Sequence, residues 1–92
     1  MNMPLRYNIV NLLMKSDGMT PKELYDKLYP IYKGEKQCSE EAIDHHLMSM
    51  KGVGLVEMKN AEQDSAGNLI CTYSITNYGA ERARKYISEY LV

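Results

Sequence analysis

Apolar and polar positions along the chain form patterns that predict four helices and one pair of strands. The central pattern lies in residues 38–57, where Ile43, Leu47 and Met50 recur at positions i, i+4 and i+7 and therefore share one face of a helix. Ser39 precedes this stretch as an N-cap, and glycines follow it. We therefore predict a third helix from Ser39 to about Met50 whose opposite face points away from the core.

Two helices are predicted before this stretch. The first runs from Pro4 to about Lys15 and carries leucine and isoleucine at helical spacing on one face. The second begins at a capping box, in which Thr20 is the N-cap, Pro21 takes the first helical position and Glu23 lies three residues after the cap. These signals define the start of the second helix more sharply than any other boundary in the chain.

A hairpin and a last helix are predicted after the third helix. Leu55–Lys59 and Leu69–Ile75 have the composition of strands, and apolar residues alternate along the second of them. The polar residues 60–68 between them have the composition of a turn. Thr76 is placed to cap a helix over about 77–91.

The order helix, helix, helix, hairpin, helix is α+β and mostly helical. It resembles the winged helix-turn-helix fold of small archaeal and viral transcriptional regulators of the PadR-like or MarR-like type. The segments that carry the resemblance are Ile9–Leu13, Met19–Leu24, Ile43–Met50, Gly54–Val56 and Tyr73–Gly79. The resemblance implies one winged-helix domain over 1–92, with a three-helix core. Its parts would be a helix-turn-helix at about 20–51, a wing at about 55–75 and a C-terminal helix at about 77–91 for dimerisation.

Composition and length fit one ordinary globular domain of 92 residues, with 45% hydrophobic and 25% charged residues. No apolar run approaches the roughly 20 residues that span a bilayer, so we expect a cytoplasmic protein with no membrane partner. Neither a glycine-rich phosphate loop nor a nucleophile with a nearby base is present, so we predict no enzyme activity and no cofactor. His45 and His46 are adjacent and project about 100° apart, so we also predict no metal site.

The resemblance implies that the third helix enters the major groove of double-stranded DNA. The residues on its outward face are Ser39, Glu41, Asp44, His45, Met48 and Ser49. The basic residues expected to meet the DNA backbone, from the helix-turn-helix and the wing, are Lys22, Lys36, Lys51 and Lys59. We therefore predict a sequence-specific DNA-binding transcriptional regulator. The sequence identifies no small-molecule effector.

The distribution of charge favours a second function. The chain has a net charge of −1, whereas proteins that bind nucleic acids are usually basic. The third helix carries three acidic residues against one lysine, and the predicted hairpin has the same imbalance. The alternative is therefore a winged-helix protein–protein interaction module, a viral or mobile-element regulator that does not bind DNA directly.

A homodimer is expected because a chain of this size buries only roughly 60–65% of its unfolded surface. The candidate interface combines the first helix with the apolar stripe of the last one; its residues are Leu5, Ala83, Ile87, Tyr90 and Leu91. Docking of the same stripe within one chain is the alternative. Tyr86 and Tyr90 are four residues apart and are predicted to stack on the last helix.

The two cysteines are far apart in sequence, at positions 38 and 71. The resemblance implies that a short strand at residues 37–38 lies beside the second strand of the hairpin, which would bring Cys38 near Cys71. A disulfide between them is one alternative, and a pair of buried reduced thiols is the other.

Overall fold

The structure of the protein is a computed structural model that describes residues 3–35 and 38–91. The helices are α1 (Leu5–Met14), α2 (Pro21–Leu28), α3 (Glu40–Gly52) and α4 (Asn77–Tyr86), followed by a short 3₁₀ turn (Ser88–Tyr90); the strands are β1 (Val56–Gln63) and β2 (Leu69–Ile75). The predicted α+β winged-helix architecture is confirmed. In the described part of the chain, no helix is long and apolar enough to cross a membrane.

The start of α2 has the capping box that the sequence predicts. The Thr20 hydroxyl accepts a hydrogen bond from the backbone N–H of Glu23 at 3.2 Å, and the Glu23 carboxylate accepts one from the Thr20 N–H at 2.9 Å. Two N–H groups that the helix itself cannot pair are thereby satisfied, which fixes the start of α2.

The first three helices enclose one hydrophobic core. Ile9 and Leu13 of α1 are fully buried, and so are Leu24 and Leu28 of α2. The third helix contributes the predicted stripe of Ile43, Leu47 and Met50, which is at most 1% exposed. Burial of this apolar surface holds α3 in a fixed orientation and determines which of its residues face outward.

The hairpin joins the three helices through Met19, immediately before α2. The strands β1 and β2 pair antiparallel, with a bulge between Met58 and Asn60 that leaves Lys59 without a partner across the ladder. Met19 and Tyr73 of β2 exchange two backbone hydrogen bonds, each 2.9 Å long. The turn between α1 and α2 is therefore attached to the two-stranded sheet through a single bridge at Met19.

This pairing corrects the predicted strand at residues 37–38. Cys38 lies in no strand, and Gln37 is outside the described residues. The position beside Tyr73 is occupied by Met19, because the turn after α1 brings its backbone alongside β2. Cys38 is buried, Cys71 is half-buried, and both are free cysteines in this structure, so the choice between a disulfide and two reduced thiols stays a prediction. Burial raises the pKa of Cys38, and the nearby Glu35 adds to the effect, so little reactive thiolate forms.

The last helix ends earlier than the predicted residue 91. The backbone leaves helical geometry at Ile87, whose φ is −130° and ψ 25°. The chain then turns, and the Tyr90 ring lies against Tyr7 of α1, with 5.3 Å between ring centroids. The predicted stack of Tyr90 on Tyr86 is therefore wrong, because the break in the helix turns Tyr90 toward α1.

The residues predicted to form a dimer interface pack within their own chain. Leu5, Ala83 and Ile87 are 5%, 5% and 8% exposed, and all three belong to the hydrophobic core. Tyr90 and Leu91 are partly buried against the same core. Most of this stripe therefore packs within its own chain, and its role as a dimer interface stays a prediction.

Candidate nucleic-acid interface

The outward face of α3 is set by the cap at its start and by the buried stripe on its other side. The Ser39 hydroxyl accepts a hydrogen bond from the Ala42 N–H at 3.0 Å. Glu40 and Glu41 lie in the first turn, where their negative charge opposes the positive end of the helix dipole. The acidic character of this end of α3 therefore stabilises the helix, whatever it binds.

The structure brings the predicted recognition residues together on one surface. Five of them are exposed on α3; they are Glu41, Asp44, His45, Met48 and Ser49. Ser39 is half-buried, and its oxygen is already occupied as the helix cap. The outward face is therefore a polar strip with two carboxylates, one imidazole, one hydroxyl and one thioether.

Tyr73 of β2 supports this strip from the side of the core. Its ring is 1% exposed, and its hydroxyl lies 3.6 Å from the sulfur of Met48, which is itself 51% exposed. Burial raises the pKa of Tyr73, so the hydroxyl stays protonated. The contact connects the middle of the hairpin to the outward face of α3, a connection that the sequence did not reveal.

Two of the predicted phosphate-contacting lysines are engaged within the chain. Lys22 pairs with Asp26 at 3.3 Å on the exposed side of α2. Lys59, at the bulge, donates to the backbone oxygen of Asp17 at 2.7 Å. Lys51 is exposed in the last turn of α3, and Lys36 lies outside the described residues. The side chain of Lys59 thus fastens the base of the wing to the α1–α2 turn.

The tip of the wing is exposed and anionic. The Asp64 carboxylate accepts backbone hydrogen bonds from Asn68 and Ala66, both at 2.9 Å. These bonds lower the pKa of Asp64, and the bond from the Asn68 N–H has the largest effect. The carboxylate is therefore ionised at neutral pH. Gly67 completes the turn with a φ of +85°, a conformation that favours glycine. A tip of this kind is poorly suited to the negative potential of a DNA minor groove.

A groove of about 560 Å³ separates the wing from the starts of α2 and α3. Its carboxylates are Glu23, Asp26, Glu40, Asp44 and Asp64, and Lys22 is its basic residue. The sequence showed that α3 and the wing are acidic, but only the fold reveals that their carboxylates converge with those of α2. Five carboxylates and one lysine thus line the groove beside α3.

His46 links α3 to α1 at the other edge of the strip. The Nε of Arg6 donates a hydrogen bond to Nδ1 of His46 at 3.0 Å, so Nδ1 is the unprotonated ring nitrogen. Burial, then the positive charge of Arg6, and last the neighbouring His45 lower the pKa of His46 below its ordinary value of 6.5. A proton on Nδ1 would remove the acceptor and add a positive charge beside Arg6.

We expect this contact to make the protein less stable in acid. The folded chain binds fewer protons at His46 than the unfolded chain does, so the free energy of unfolding falls as the pH drops below about 6.5 and is unaffected by this group above it. Urea unfolding between about pH 8 and pH 5 measures the effect. His46→Asn keeps a side-chain acceptor near Arg6 and should flatten the slope, whereas His45→Asn removes only the smallest of the three causes and should retain most of it. Equal slopes for the two variants would contradict the assignment.

Comparison with known proteins finds similarity in structure only. No protein-family model matches the chain, and no curated protein matches it. Several solved structures do match it across almost its whole length.

Three solved structures share the fold described above. A PadR-like transcriptional regulator from Bacillus cereus is 24% identical and superposes with a TM-score of 0.70, over 94% of this chain and 80% of that one. A proposed transcriptional regulator from Thermoplasma acidophilum is 23% identical, with a TM-score of 0.64, over 92% of this chain and 87% of that one. A transcriptional regulator homologue from Pyrococcus horikoshii is 19% identical, with a TM-score of 0.60, over 92% and 74%. The chain therefore has the winged-helix fold found in PadR-like regulators.

Proposed function

We propose that this protein is a DNA-binding transcriptional regulator that acts in the cytoplasm as a homodimer, with α3 in the major groove. The observation that carries the proposal is the outward face of α3, a strip of five exposed side chains held in place by a fully buried stripe and flanked by a wing. In helix-turn-helix proteins this is the helix that reads base edges. The structural neighbours, which are described as transcriptional regulators, support the same function.

The chemistry of the strip favours base contacts over phosphate contacts. The carboxylates of Glu41 and Asp44 can accept hydrogen bonds from the N4 amino group of cytosine, and the hydroxyl of Ser49 can donate or accept. Lys51 is the exposed cation of α3, while Lys22 pairs with the Asp26 carboxylate and Lys59 donates to the backbone oxygen of Asp17. Few phosphates would be neutralised by each copy, which makes two copies on one site important for affinity.

A second function, a winged-helix module that binds protein rather than DNA, is favoured by the acidic groove. Five carboxylates face it, and its lysine is already paired with one of them. Phosphate oxygens would be repelled from this groove, whereas the basic surface of a protein partner would be attracted. The two functions predict opposite results with a DNA duplex.

Fluorescence anisotropy with a dye-labelled mixed-sequence duplex tests the DNA-binding proposal. We expect binding at low salt that weakens as salt rises, with a slope of about −0.9 for each phosphate neutralised. The slope should be shallow because each copy offers few free cations. Absence of binding at low salt would contradict the DNA-binding proposal and favour the protein-interaction module. Sedimentation equilibrium on the same samples tests the homodimer.

Replacement of Asp44 by alanine should separate base reading from general attraction. On a duplex selected from a random pool, Asp44→Ala should lose about 1–3 kcal/mol of discrimination against the mismatched site. Its affinity for random duplex should rise, because one repelling carboxylate has gone. Glu81→Ala, which removes an exposed carboxylate from α4, is the matched control and should keep the discrimination. Equal discrimination in the two variants would show that Asp44 does not read bases.

A further inference from the structure

An apolar groove of about 380 Å³ lies on another side of the molecule, between α1, the end of α3 and α4. Its apolar lining includes Val10, Met50, Leu55, Ile75, Ala83 and Ile87. None of its lining residues also lines the acidic groove or belongs to the outward face of α3. A partner bound here would therefore leave the α3 face free.

The rim of this groove carries aromatic rings and guanidinium groups. Tyr78 and Tyr86 of α4 are 50% and 57% exposed, and Val53, after the end of α3, is 66% exposed. The Arg82 guanidinium lies between the two rings, 4.5 Å from the Tyr86 centroid and 5.7 Å from that of Tyr78. This Tyr–Arg–Tyr ladder restricts the motion of the guanidinium without neutralising it.

The charge on the groove is entirely positive. Arg6 on α1 and Arg82 on α4 both line it, and no carboxylate does so in the described part of the chain. Within residues 3–35 and 38–91, neither guanidinium takes part in an ion pair, since Arg6 bonds to the neutral ring of His46. Two arginines over an apolar floor are notable on a chain whose net charge is −1.

We propose that this groove is a docking surface for an acidic segment of a partner protein, in which an apolar side chain lies beside a carboxylate. The apolar side chain would cover the floor, and the carboxylate would pair with Arg82, whose planar guanidinium suits two parallel hydrogen bonds. Tyrosine and arginine are enriched among the residues that contribute most of the binding energy at protein–protein interfaces. A basic segment would be repelled, and a neutral one would leave both guanidinium groups without a counter-charge.

This docking surface is independent of DNA binding. Its residues lie on α1, the last turn of α3 and the turn after it, the end of β2, and α4. None of them belongs to the outward face of α3, so the groove and its charge do not depend on whether α3 binds DNA. Together the two sites would allow one chain to hold an acidic partner while α3 is engaged elsewhere.

The test uses a fluorescein-labelled peptide in which leucine pairs alternate with glutamate pairs. Anisotropy should show binding to the full chain, and no binding of matched peptides that carry lysine for glutamate or serine for leucine. Arg82→Gln should weaken binding about tenfold. Arg84→Gln removes the same charge from the same helix outside the groove and should change affinity by less than about twofold. Val53→Glu places a carboxylate on the rim and should weaken binding as Arg82→Gln does, without altering the arginine.

Several results would overturn the proposal. Equal weakening by Arg82→Gln and Arg84→Gln would mean general attraction to a basic helix, and binding of the lysine peptide would exclude charge recognition. Amide chemical-shift changes on α3, instead of at Val53, Tyr78 and Tyr86, would place the peptide elsewhere. If the protein is a dimer without peptide and Arg82→Gln dissociates that dimer, the occupant of the groove is a second copy of this chain. Absence of peptide binding to the folded wild-type chain would also contradict the proposal.

Discussion

Replacing Gly79 with alanine is expected to lower the free energy of unfolding by about 3 kcal/mol. A Cβ atom at this position of α4 would lie 2.0 Å from the carbonyl oxygen of Leu55 and 2.9 Å from its carbonyl carbon. Leu55 cannot move away easily, because its N–H donates to Met50 and its oxygen accepts from the N–H of Thr76. A loss of this size is a large fraction of the roughly 5–15 kcal/mol that stabilises a domain.

Gly52→Ala is the matched control for this prediction. Gly52 ends α3, its φ is not positive, and nothing lies within 4 Å of the position a Cβ would take. Alanine should therefore stabilise the protein by about 0.5–1 kcal/mol, since it restricts the unfolded chain and favours the helix. Thermal or urea unfolding followed by circular dichroism measures both variants. If Gly79→Ala were as stable as the wild type, the close approach of α4 to Leu55 would be wrong.

Tyr73→Ala is expected to be the most damaging single truncation in the core, with a loss of about 3–5 kcal/mol. The ring is 1% exposed and is the largest of the fully buried side chains. It lies where β2, Met19 and Met48 meet, so its removal leaves a cavity bounded by the sheet and by α3. Urea unfolding should show this loss, and the remaining folded protein should bind its partners less well because the support of Met48 has gone.

Tyr73→Phe separates the ring from its hydroxyl. The hydroxyl has a thioether as its partner at 3.6 Å, and sulfur is a weak acceptor, so the phenylalanine variant should lose less than about 1 kcal/mol. The same urea titration compares the two variants. A loss for phenylalanine as large as that for alanine would mean that the polar contact, rather than ring packing, stabilises this region.

Features that depend on neighbouring residues were predicted well from the sequence. The capping box of Thr20 and Glu23 involves atoms three residues apart, and the stripe of Ile43, Leu47 and Met50 follows from helical periodicity alone. Both are confirmed because the same local geometry forms wherever the helix packs. The outward face of α3 then follows from the position of its buried stripe.

Features that depend on distant residues were predicted less well. Nothing near Met19 in sequence indicates that it pairs with Tyr73, and nothing near Lys59 indicates that its ammonium group binds the Asp17 carbonyl. The lysine was predicted to meet DNA because its charge is visible in the sequence, whereas its acceptor is supplied by the fold. The convergence of carboxylates beside α3 has the same cause.

The apolar stripe on α4 shows a third limit of prediction from the sequence. An apolar face must be covered, but its pattern does not say whether the cover comes from the same chain or another. Here Ala83 and Ile87 belong to the hydrophobic core of their own chain, and the break after Tyr86 brings Tyr90 to Tyr7. The Tyr78–Arg82–Tyr86 ladder was visible as a spacing of four residues, and this signal could have pointed to the groove beside it.

The fastening of the wing at one end has a consequence for how this chain can vary. The base is clamped by the Met19–Tyr73 pair and by Lys59, while residues 60–68, from the outer part of β1 to the turn, are all exposed. Apart from Asp64 and Gly67, which hold the turn, substitutions, insertions or deletions in the tip would therefore change the folding energy little, because loop tips tolerate such changes. Mutation can change the length and charge of the tip independently of the three-helix body. The wing is thus the part of this protein on which selection for a new target can act at least cost to stability.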